Sequence, residues 1–178
     1  YTTTITASDG ASNSSSQSIT VSVNNLNDNP PVFTSGTDFS ADENQTAIGT
    51  VTGSDADGDS LSFTVSGSEL VITPAGILTF ASAPNYETKS TYTASVTVTD
   101  QLFTSTQEIT ISINDINEAP LISTNSTFSG AENQSTISGT FTVSDEDGDA
   151  VSVALAGDDA SLFDLSAENV LSFTSNPD

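Results

Sequence analysis

A segment of this chain recurs after about 90 residues, and this internal repeat constrains the fold more than any other sequence feature. Residues 114–120 read Asn-Asp-Ile-Asn-Glu-Ala-Pro, and residues 24–30 read Asn-Asn-Leu-Asn-Asp-Asn-Pro. This alignment places Asp28 at the position of Glu118. A chain of 178 residues with such a period is predicted to be an array of small modules rather than one large domain.

Acidic motifs recur together with this linker. The segment Ala-Asp-Glu-Asn at 41–44 returns as Gly-Ala-Glu-Asn at 130–133. Likewise, Asp-Ala-Asp-Gly-Asp at 55–59 returns as Asp-Glu-Asp-Gly-Asp at 145–149. These carboxylates repeat as faithfully as the apolar positions do, which indicates that they have the same role in each copy.

The repeat divides the chain into three predicted parts. Residues 1–31 hold the last two strands of one repeat and its linker, and residues 32–119 form one complete repeat. Residues 120–178 begin a further repeat that lacks its last two strands. Neither outer part is expected to be stable alone, because a lone hairpin is marginal in water and an incomplete sandwich exposes its core.

Apolar residues alternate with Thr and Ser along most of the chain, a period of two that is typical of half-buried β-strands. In the first part Ile5 and Ala7 alternate in this way, and Ile19, Val21 and Val23 form the returning strand. Gly, Pro, Asn and Asp fall between such runs, and short strands punctuated in this way predict a β-sandwich. In the complete repeat the predicted strands cover residues 32–35, 37–40, 46–53, 61–66, 69–73, 77–80, 91–99 and 106–114.

The inward face of these strands supplies the predicted core of the complete repeat, and Thr and Ser take the outer face. The residues predicted to face inward are Phe39, Ile48, Val51, Leu61, Phe63, Val65, Leu70, Ile72, Leu78, Phe80, Tyr92, Val96, Val98, Ile109, Ile111 and Ile113. The fold class is therefore predicted to be all-β.

The charge of the chain excludes several classes of partner. There are 24 acidic residues against one basic residue, Lys89, and the formal net charge is −23. Nucleic acid is not expected as a partner, because binding phosphates requires clustered Lys and Arg. An anionic membrane surface would repel the chain, and no apolar run approaches the length needed for membrane insertion. The absence of Cys excludes disulfides and thiolate metal sites.

So many acids need either wide spacing in water or bound cations. Two anions about 4 Å apart repel by roughly 1 kcal/mol in water and by several times more when they are partly buried. Calcium takes about six to eight oxygen ligands at about 2.3–2.6 Å, which the carboxylates and carbonyls of an irregular loop supply. Taken singly, Asp-x-Asp-Gly-Asp is typical of a solvated turn. Its recurrence in register with the other acids favours metal binding.

Together these motifs resemble tandem cadherin repeats, specifically the bacterial cadherin-like repeats of large surface proteins. The resemblance covers essentially the whole chain and implies Greek-key β-sandwiches, of the cadherin or immunoglobulin-like type, joined end to end. In that family, acids from adjoining modules jointly bind calcium. The positions that match the family's ligands are Asp9, Asn27, Asp28, Asn29, Glu43, Asp55, Asp57, Glu87, Asp100, Asp115, Asn117, Glu118, Glu132, Asp145 and Asp147.

Two linker positions depart from the family's pattern. Glu118-Ala119 replaces Asp-Asn, which removes one amide ligand, and Asn25 replaces a linker Asp, which removes one charge. The third acids of the two turns, Asp59 and Asp149, are a less secure part of the pattern and are expected only to shape the turns. We therefore expect calcium affinity to differ between the two junctions.

The function that the resemblance implies is structural. Calcium would bridge neighbouring modules and stiffen a spacer repeat of an extracellular bacterial adhesin, matrix or filament protein at the cell surface. The alternative is a calcium-dependent binding module, homophilic or for polysaccharide or another cell-surface protein. Sugar sites usually present Trp or Tyr, but this chain has no Trp, and two of its three Tyr, Tyr1 and Tyr92, are predicted to lie in the core.

An enzymatic function finds little support in the composition. The chain has no His for proton transfer near neutral pH, no Cys nucleophile and no Arg. A glycosidase needs only two carboxylates. However, the acids of this chain repeat at linkers, where a substrate cleft is not expected.

The two incomplete outer parts suggest an interaction between copies of the chain. We expect residues 1–24 to pair with the sheets formed by residues 121–178 of another copy, which would join copies head to tail. The other possibility is that the copies are covalent neighbours in one long array. In either arrangement the predicted contacts join Ile5, Ile19, Val21 and Val23 to Phe141, Val153 and Phe173.

Overall fold

The computed structural model describes residues 1–123 and 127–178, and its regular elements in this part are β-strands apart from one short 3₁₀ helix, Ala160–Leu162. The sequence repeat is visible in the backbone. Asn44 and Asn133, at equivalent positions, have φ angles of 60° and 63°, and Gly58 and Gly148 have φ angles of 82° and 77°. Asn and Gly adopt this left-handed region at little cost. The all-β prediction is confirmed.

The first two strands form a separate hairpin. β1 (Thr2–Ser8) pairs antiparallel with β2 (Ser14–Thr20) over their whole length. Among the described residues, no other strand pairs with either of them. Pairing of this hairpin with another copy of the chain therefore stays a prediction.

The apolar side chains of the hairpin segment are exposed, which corrects one prediction about its packing. Tyr1, which was predicted to lie in the core, is 90% exposed, and Ile5, Val21 and Val23 are exposed as well. The second strand ends at Thr20 rather than at Val23. The exposure follows because a hairpin without a facing sheet has no surface against which to bury an apolar face.

The complete repeat forms strands close to those predicted. They are β3 (Val32–Phe33), β4 (Asp38–Asp42), β5 (Ala47–Thr50), β6 (Gly53–Ser54), β7 (Ser62–Val65), β8 (Leu70–Ile72), β9 (Ile77–Phe80), β10 (Thr91–Thr99) and β11 (Thr104–Asn114). One sheet has the order β4-β11-β10-β7, a second has the order β5-β9-β8, and β3 pairs with β6. Neighbours in the sheets are therefore often distant in sequence, as expected for a sandwich with crossing connections.

The core of this repeat is formed by strands of both larger sheets. Phe80 on β9 meets Tyr92 on β10 edge-on, with ring centroids 5.0 Å apart. Along β10 and β11 every second side chain is buried, as the period of a strand requires. The fully buried hydrophobic residues are Ala41, Val51, Phe63, Leu70, Leu78, Phe80, Ala94, Val96, Val98, Ile109, Ile111 and Ile113.

The predicted core agrees with this set except for two buried alanines and six residues that are only half-buried. Ala41 and Ala94 are buried but were not predicted, because a small side chain contributes little to an apolar pattern. The predicted residues that are only half-buried are Phe39, Ile48, Leu61, Val65, Ile72 and Tyr92.

The last part of the chain repeats several of the pairings of the complete repeat. Its strands are β12 (Leu121–Ser123), β13 (Ser129–Gly130), β14 (Thr136–Thr140), β15 (Thr142–Ser144), β16 (Phe163–Leu165) and β17 (Val170–Phe173). β13 pairs with β14, whereas the equivalent β4 pairs with β11. However, β12 pairs with β15 as β3 pairs with β6, and β14, β17 and β16 neighbour one another as β5, β9 and β8 do. The sequence repeat is thus a structural repeat.

This last part has a less buried interior than the complete repeat. Among its described residues none belongs to the buried hydrophobic set. An open groove is lined by apolar side chains, among them Val143, Val153, Phe163 and Leu165, and by the polar residues Ser161, Ser166 and Asn169. Residues 151–155, which correspond to β7, form no strand. In the complete repeat β7 is held by pairing with β10, and residues 121–178 contain no equivalent of β10.

By contacts between Cα atoms the chain divides into two compact units. The first unit comprises residues 1–41, 45–83 and 91–112, and the second comprises residues 42–44, 84–90 and 113–178. The boundaries at residues 31 and 119 follow the sequence repeat and stay a prediction.

Two candidate metal centres

The first acidic site lies within the first unit and comprises Asn27, Asp55, Asp57, Asp59 and Asp100. The three acids of the turn after β6 have carboxylate oxygens within 4.8 Å of one another. Asp100 directly follows β10, and Asn27 belongs to the linker. The fold therefore brings a turn, a strand end and a linker together at this site.

Asp57 holds the backbone of the linker. Its Oδ2 accepts hydrogen bonds from the N–H groups of Asp28 and Asn29, at 3.0 and 2.9 Å. The side-chain amide of Asn29 also donates to both carboxylate oxygens, at 3.1 and 3.2 Å. The N–H of Asn29, more than any other group, lowers the pKa of Asp57. Asp57 therefore stays ionised at neutral pH and fixes the linker.

Asp55 shapes the turn. Its Oδ1 accepts hydrogen bonds from the N–H groups of Asp57 at 2.8 Å and Asp59 at 3.3 Å. Gly58, between these two acids, has the positive φ that the turn requires. The other carboxylate oxygen of Asp55 is buried and has no hydrogen-bond partner.

Asp100 is the most buried acid of this site, with only 4% of its surface exposed. Burial raises its pKa, but hydrogen bonds from the N–H groups of Phe103 and Leu102 and from the side chain of Asn27 outweigh that effect, so the pKa is lowered. The two N–H groups both donate to Oδ1, at 2.6 and 2.8 Å. Oδ2 has no partner, so a buried ionised oxygen is left without compensation.

Four buried side-chain oxygens in the first acidic site lack a partner: Asn27 Oδ1, Asp55 Oδ2, Asp59 Oδ2 and Asp100 Oδ2. Burial, and then the charges of Asp55, Asp100 and Asp57, raise the pKa of Asp59. Buried polar atoms in folded proteins are nearly always paired, and leaving them unpaired is costly. Carboxylate and amide oxygens with unused lone pairs are the donors that calcium binds, so the residues fit this metal.

The second acidic site lies within the second unit and comprises Glu43, Glu87, Asp115, Glu118, Asp145 and Asp147. Glu43, Glu87 and Asp115 form one group with oxygens within 4.8 Å of one another, and Asp145, Asp147 and Asp149 form another. Glu43 is only 3% exposed. Its two oxygens accept hydrogen bonds from the N–H groups of Tyr86 and Ile116, each at 2.9 Å.

Asp147 has the same relationship to its linker as Asp57. Its Oδ2 accepts a hydrogen bond from the N–H of Glu118 at 2.9 Å. Its Oδ1 and the Oε2 of Glu118 are buried without a partner. The side chain of Asn44 donates to the other oxygen of Glu118. The second acidic site thus also presents buried oxygens suited to a cation.

Burial, together with repulsion between the carboxylates, raises several pKa values in the second acidic site. Burial, followed by Asp147 and Glu43, raises the pKa of Asp115, and burial, Glu43 and Asp147 raise that of Glu118. The N–H of Glu87 itself lowers the pKa of Glu87, but burial and the charges of Glu43, Asp115 and Asp147 outweigh it, so the pKa is raised. Without a cation, these groups are therefore too close to be ionised at no cost.

Three predicted ligands, Asn117, Asp9 and Glu132, differ from the others in the contacts that their side chains make. The side-chain amide of Asn117 donates to the backbone oxygen of Glu118 at 2.9 Å, and Asn117 lines a cavity with Asp115, Asp147 and Asp149. The carboxylate of Asp9 closes its own turn by accepting from the N–H and side-chain amide of Asn13, at 3.2 and 2.9 Å. The N–H of Ala11, first among several hydrogen bonds, lowers the pKa of Asp9.

Glu132 is exposed, in the turn between β13 and β14. It belongs to neither acidic site, although it occupies the position equivalent to Glu43. Asp9 and Glu132 remain predicted ligands that the described clusters do not include.

The sequence pattern missed or undervalued several polar residues at these sites. Asp59 and Asp149 were expected only to shape turns, yet both belong to groups of converging carboxylates. Asn25, at the position equivalent to Asp115, donates from its side chain to the backbone oxygen of Asp57 at 2.8 Å. The regular spacing of three acids in each turn was the available signal for Asp59 and Asp149.

Comparison with known protein families supports the β-sandwich fold. Residues 27–112 match the family of bacterial Ig domains. The complete repeat is therefore similar to bacterial Ig domains. The matched segment begins at Asn27 in the linker, so it includes the linker residues of the first acidic site together with its turn and its strand end.

Solved cadherin structures share the fold of this chain. Human protocadherin-24 EC1-2 is 22% identical over 83% of this chain and 78% of that chain, with a TM-score of 0.51. PcdhgB3 EC1-4 is 20% identical over 99% of this chain and 48% of that chain, with a TM-score of 0.60. Mouse cadherin-23 EC22-24 is 20% identical over 99% and 64%, with a TM-score of 0.53. The resemblance to bacterial cadherin-like repeats and the prediction of β-sandwich repeats are confirmed.

In the described part of the chain, no helix has the length and apolar character needed to cross a membrane.

Proposed function

We propose that this chain is a calcium-stiffened spacer segment of an extracellular bacterial adhesin, matrix or filament protein. The observation that carries the proposal is that both acidic sites contain buried oxygens without hydrogen-bond partners, next to carboxylates that repel one another. A bound cation would offset that cost. The bacterial Ig match and the cadherin fold support an extracellular, adhesion-type role.

Calcium is the metal that these donors favour. The chain has neither Cys nor His, the ligands that zinc and copper prefer. The donors are carboxylates, amides and backbone carbonyls in irregular loops, and calcium accepts such flexible sets, whereas magnesium demands a near-ideal octahedron. When bound, calcium would supply positive charge shared among oxygens of several loops.

Residues of the protein hold the backbone of each linker beside the candidate calcium site. Asp57 and Asp147 each bind backbone N–H groups of a linker, and Glu43 ties together the backbone at Tyr86 and Ile116. The remaining carboxylate oxygens lie close together, and their negative charges repel one another. Metal binding would then fix the linkers, so that the cost of ordering them is offset by the binding free energy.

The proposed role is not enzymatic, and its partners are other modules of the same kind. The solved relatives are fragments of several cadherin domains in one chain. Covalent neighbours in a long array are one source of such contacts. The second source is strand complementation, in which the exposed hairpin at 1–24 of one copy covers the apolar groove in the last part of another.

Small-angle X-ray scattering with and without calcium tests the spacer proposal. We expect calcium to narrow the distribution of particle dimensions and a chelator to broaden it, because the linkers lose bending freedom only when the ion is bound. Magnesium at the same concentration is the control and should have a smaller effect. Identical scattering with calcium and with chelator would contradict the proposal.

A further inference from the structure

We propose that Asp59 is a direct cation ligand in the first acidic site, where its Oδ2 joins Asn27 Oδ1, Asp55 Oδ2 and Asp100 Oδ2 around one ion. This inference rests on the proposed calcium-binding function and specifies which oxygens carry it. It assigns a binding role to an acid that the linker pattern treats as part of a turn.

The hydrogen bonds divide the three acids of the turn into different roles. Both carboxylate oxygens of Asp57 accept hydrogen bonds from the linker. Asp55 uses Oδ1 for the turn and keeps Oδ2 free. The Oδ2 of Asp59 is buried and has no partner, so it is as available to an ion as that of Asp55.

Asp100 provides an observation that is independent of the turn. It comes from the end of β10, is only 4% exposed, and keeps one carboxylate oxygen, Oδ2, without a hydrogen-bond partner. Asn27, from the linker, likewise has a buried side-chain oxygen, Oδ1, without a partner. Three carboxylates and one amide from three separate segments therefore converge, which a solvated turn alone does not explain.

The second copy of the turn shows that the turn itself does not require a buried third acid. Asp149 is equivalent to Asp59, and its N–H donates to Asp145 Oδ1 at 3.1 Å, as the N–H of Asp59 donates to Asp55 Oδ1 at 3.3 Å. The backbone turn is thus the same. Asp149, however, is exposed, and among the described residues its oxygens are not in the set of buried atoms without partners.

The decisive experiment compares Asp59→Asn with Asp38→Asn in the whole chain, because Asp38 is an exposed acid at the start of β4 that belongs to neither acidic site. Calcium titration calorimetry gives the affinity, and thermal unfolding is measured in chelator and in saturating calcium. We expect Asp59→Asn to weaken one class of calcium sites at least about tenfold, as expected when a charged ligand is lost. It should also raise the Tm in chelator, because it removes repulsion among Asp55, Asp59 and Asp100, and lower the Tm gained from calcium. Asp38→Asn removes the same charge and should change the calcium affinity much less.

Each other outcome overturns the inference. If Asp59→Asn lowers the Tm equally with and without calcium, the side chain is structural. If its calcium isotherm matches that of the parent, Asp59 is not a ligand, although the proposed function stands. If the parent itself binds no calcium, both the inference and the proposed function fail, so the two failures are distinguishable.

Discussion

The carboxylate of Asp147 accepts a hydrogen bond from the backbone N–H of Glu118 at 2.9 Å, and Asp57 accepts the equivalent bond from Asp28 at 3.0 Å. The same contact therefore recurs in both copies of the linker, although Glu replaces Asp at the donor position. The replacement does not affect this hydrogen bond, because the donor is a backbone N–H group. The linker can vary in side chains while its path stays tied to the second acid of the turn.

This relationship predicts how each linker amide exchanges with solvent. Asp147→Ala should accelerate hydrogen exchange of the Glu118 N–H in calcium-free buffer, because the amide loses its acceptor, and should leave the Asp28 N–H unchanged. Asp57→Ala should have the reverse effect. Amide exchange followed by NMR makes the measurement, and each variant is the control for the other. Equal acceleration at both amides would mean that the substitutions act through general unfolding.

We expect Glu87 to bind calcium and, when no metal is bound, to destabilise the folded state through its charge. In Glu87→Gln we expect weaker calcium binding at the second acidic site and a higher Tm in chelator, because Glu43, Asp115 and Asp147 no longer repel a fourth charge. Asp145→Asn should likewise reduce affinity there. Glu108→Gln, on the exposed face of β11, is the control for loss of one charge. A parent-like calcium titration for either site variant would remove that residue from the ligand set.

The fold could be predicted from the sequence because its signals are local. The alternation of Ile109, Ile111 and Ile113 with polar residues fixes which face of β11 is buried, and strand pairing then follows from burying that face. The hairpin shows the limit of such reasoning. The alternation around Ile5 predicts a strand correctly, but burial of Tyr1 depends on a facing sheet that local pattern does not specify.

The candidate sites could be predicted as sets of residues but not as sets of contacts. The repeat of the acids identified Asp55, Asp57 and Asp100 as candidate ligands. Which of their oxygens stays available to a metal depends on which backbone N–H groups approach each oxygen. That depends on the loop conformation. For the same reason the sequence pattern does not distinguish Asp59 from Asp149, although of these two described residues only Asp59 has a buried unpartnered oxygen.

The pKa shifts predict that acidification has opposite effects with and without calcium. Asp59, Glu87, Asp115 and Glu118 have raised pKa values. The folded state therefore binds their protons more tightly than the unfolded state, and this contribution to stability is present below their ordinary values, about 3.9 for Asp and 4.3 for Glu, and is lost as the pH rises through the raised values.

In calcium-free buffer the Tm should accordingly rise as the pH falls from 7 towards about 4.5. Below about pH 3.9 the lowered pKa values of Asp9, Asp57 and Asp100 reverse the trend, since their stabilising contribution is lost as the pH falls through those values. With calcium present, protons compete with the ion, so the Tm should fall over the same interval. Calorimetry across this range checks both signs, and a calcium-free Tm that falls steadily from pH 7 would contradict the assignment of repulsion.

The exposed hairpin makes the last prediction, on self-association. If residues 1–24 of one copy cover the apolar groove of another, the parent should form oligomers whose size in sedimentation velocity grows with protein concentration. Ile5→Asp should abolish this association, because Ile5 is 57% exposed in the single chain and a charge there blocks apolar docking without disturbing an existing core. Thr4→Asp adds the same charge on the opposite face of β1 and should leave the oligomers intact. A parent that sediments as a monomer at every concentration would restrict such contacts to covalent neighbours.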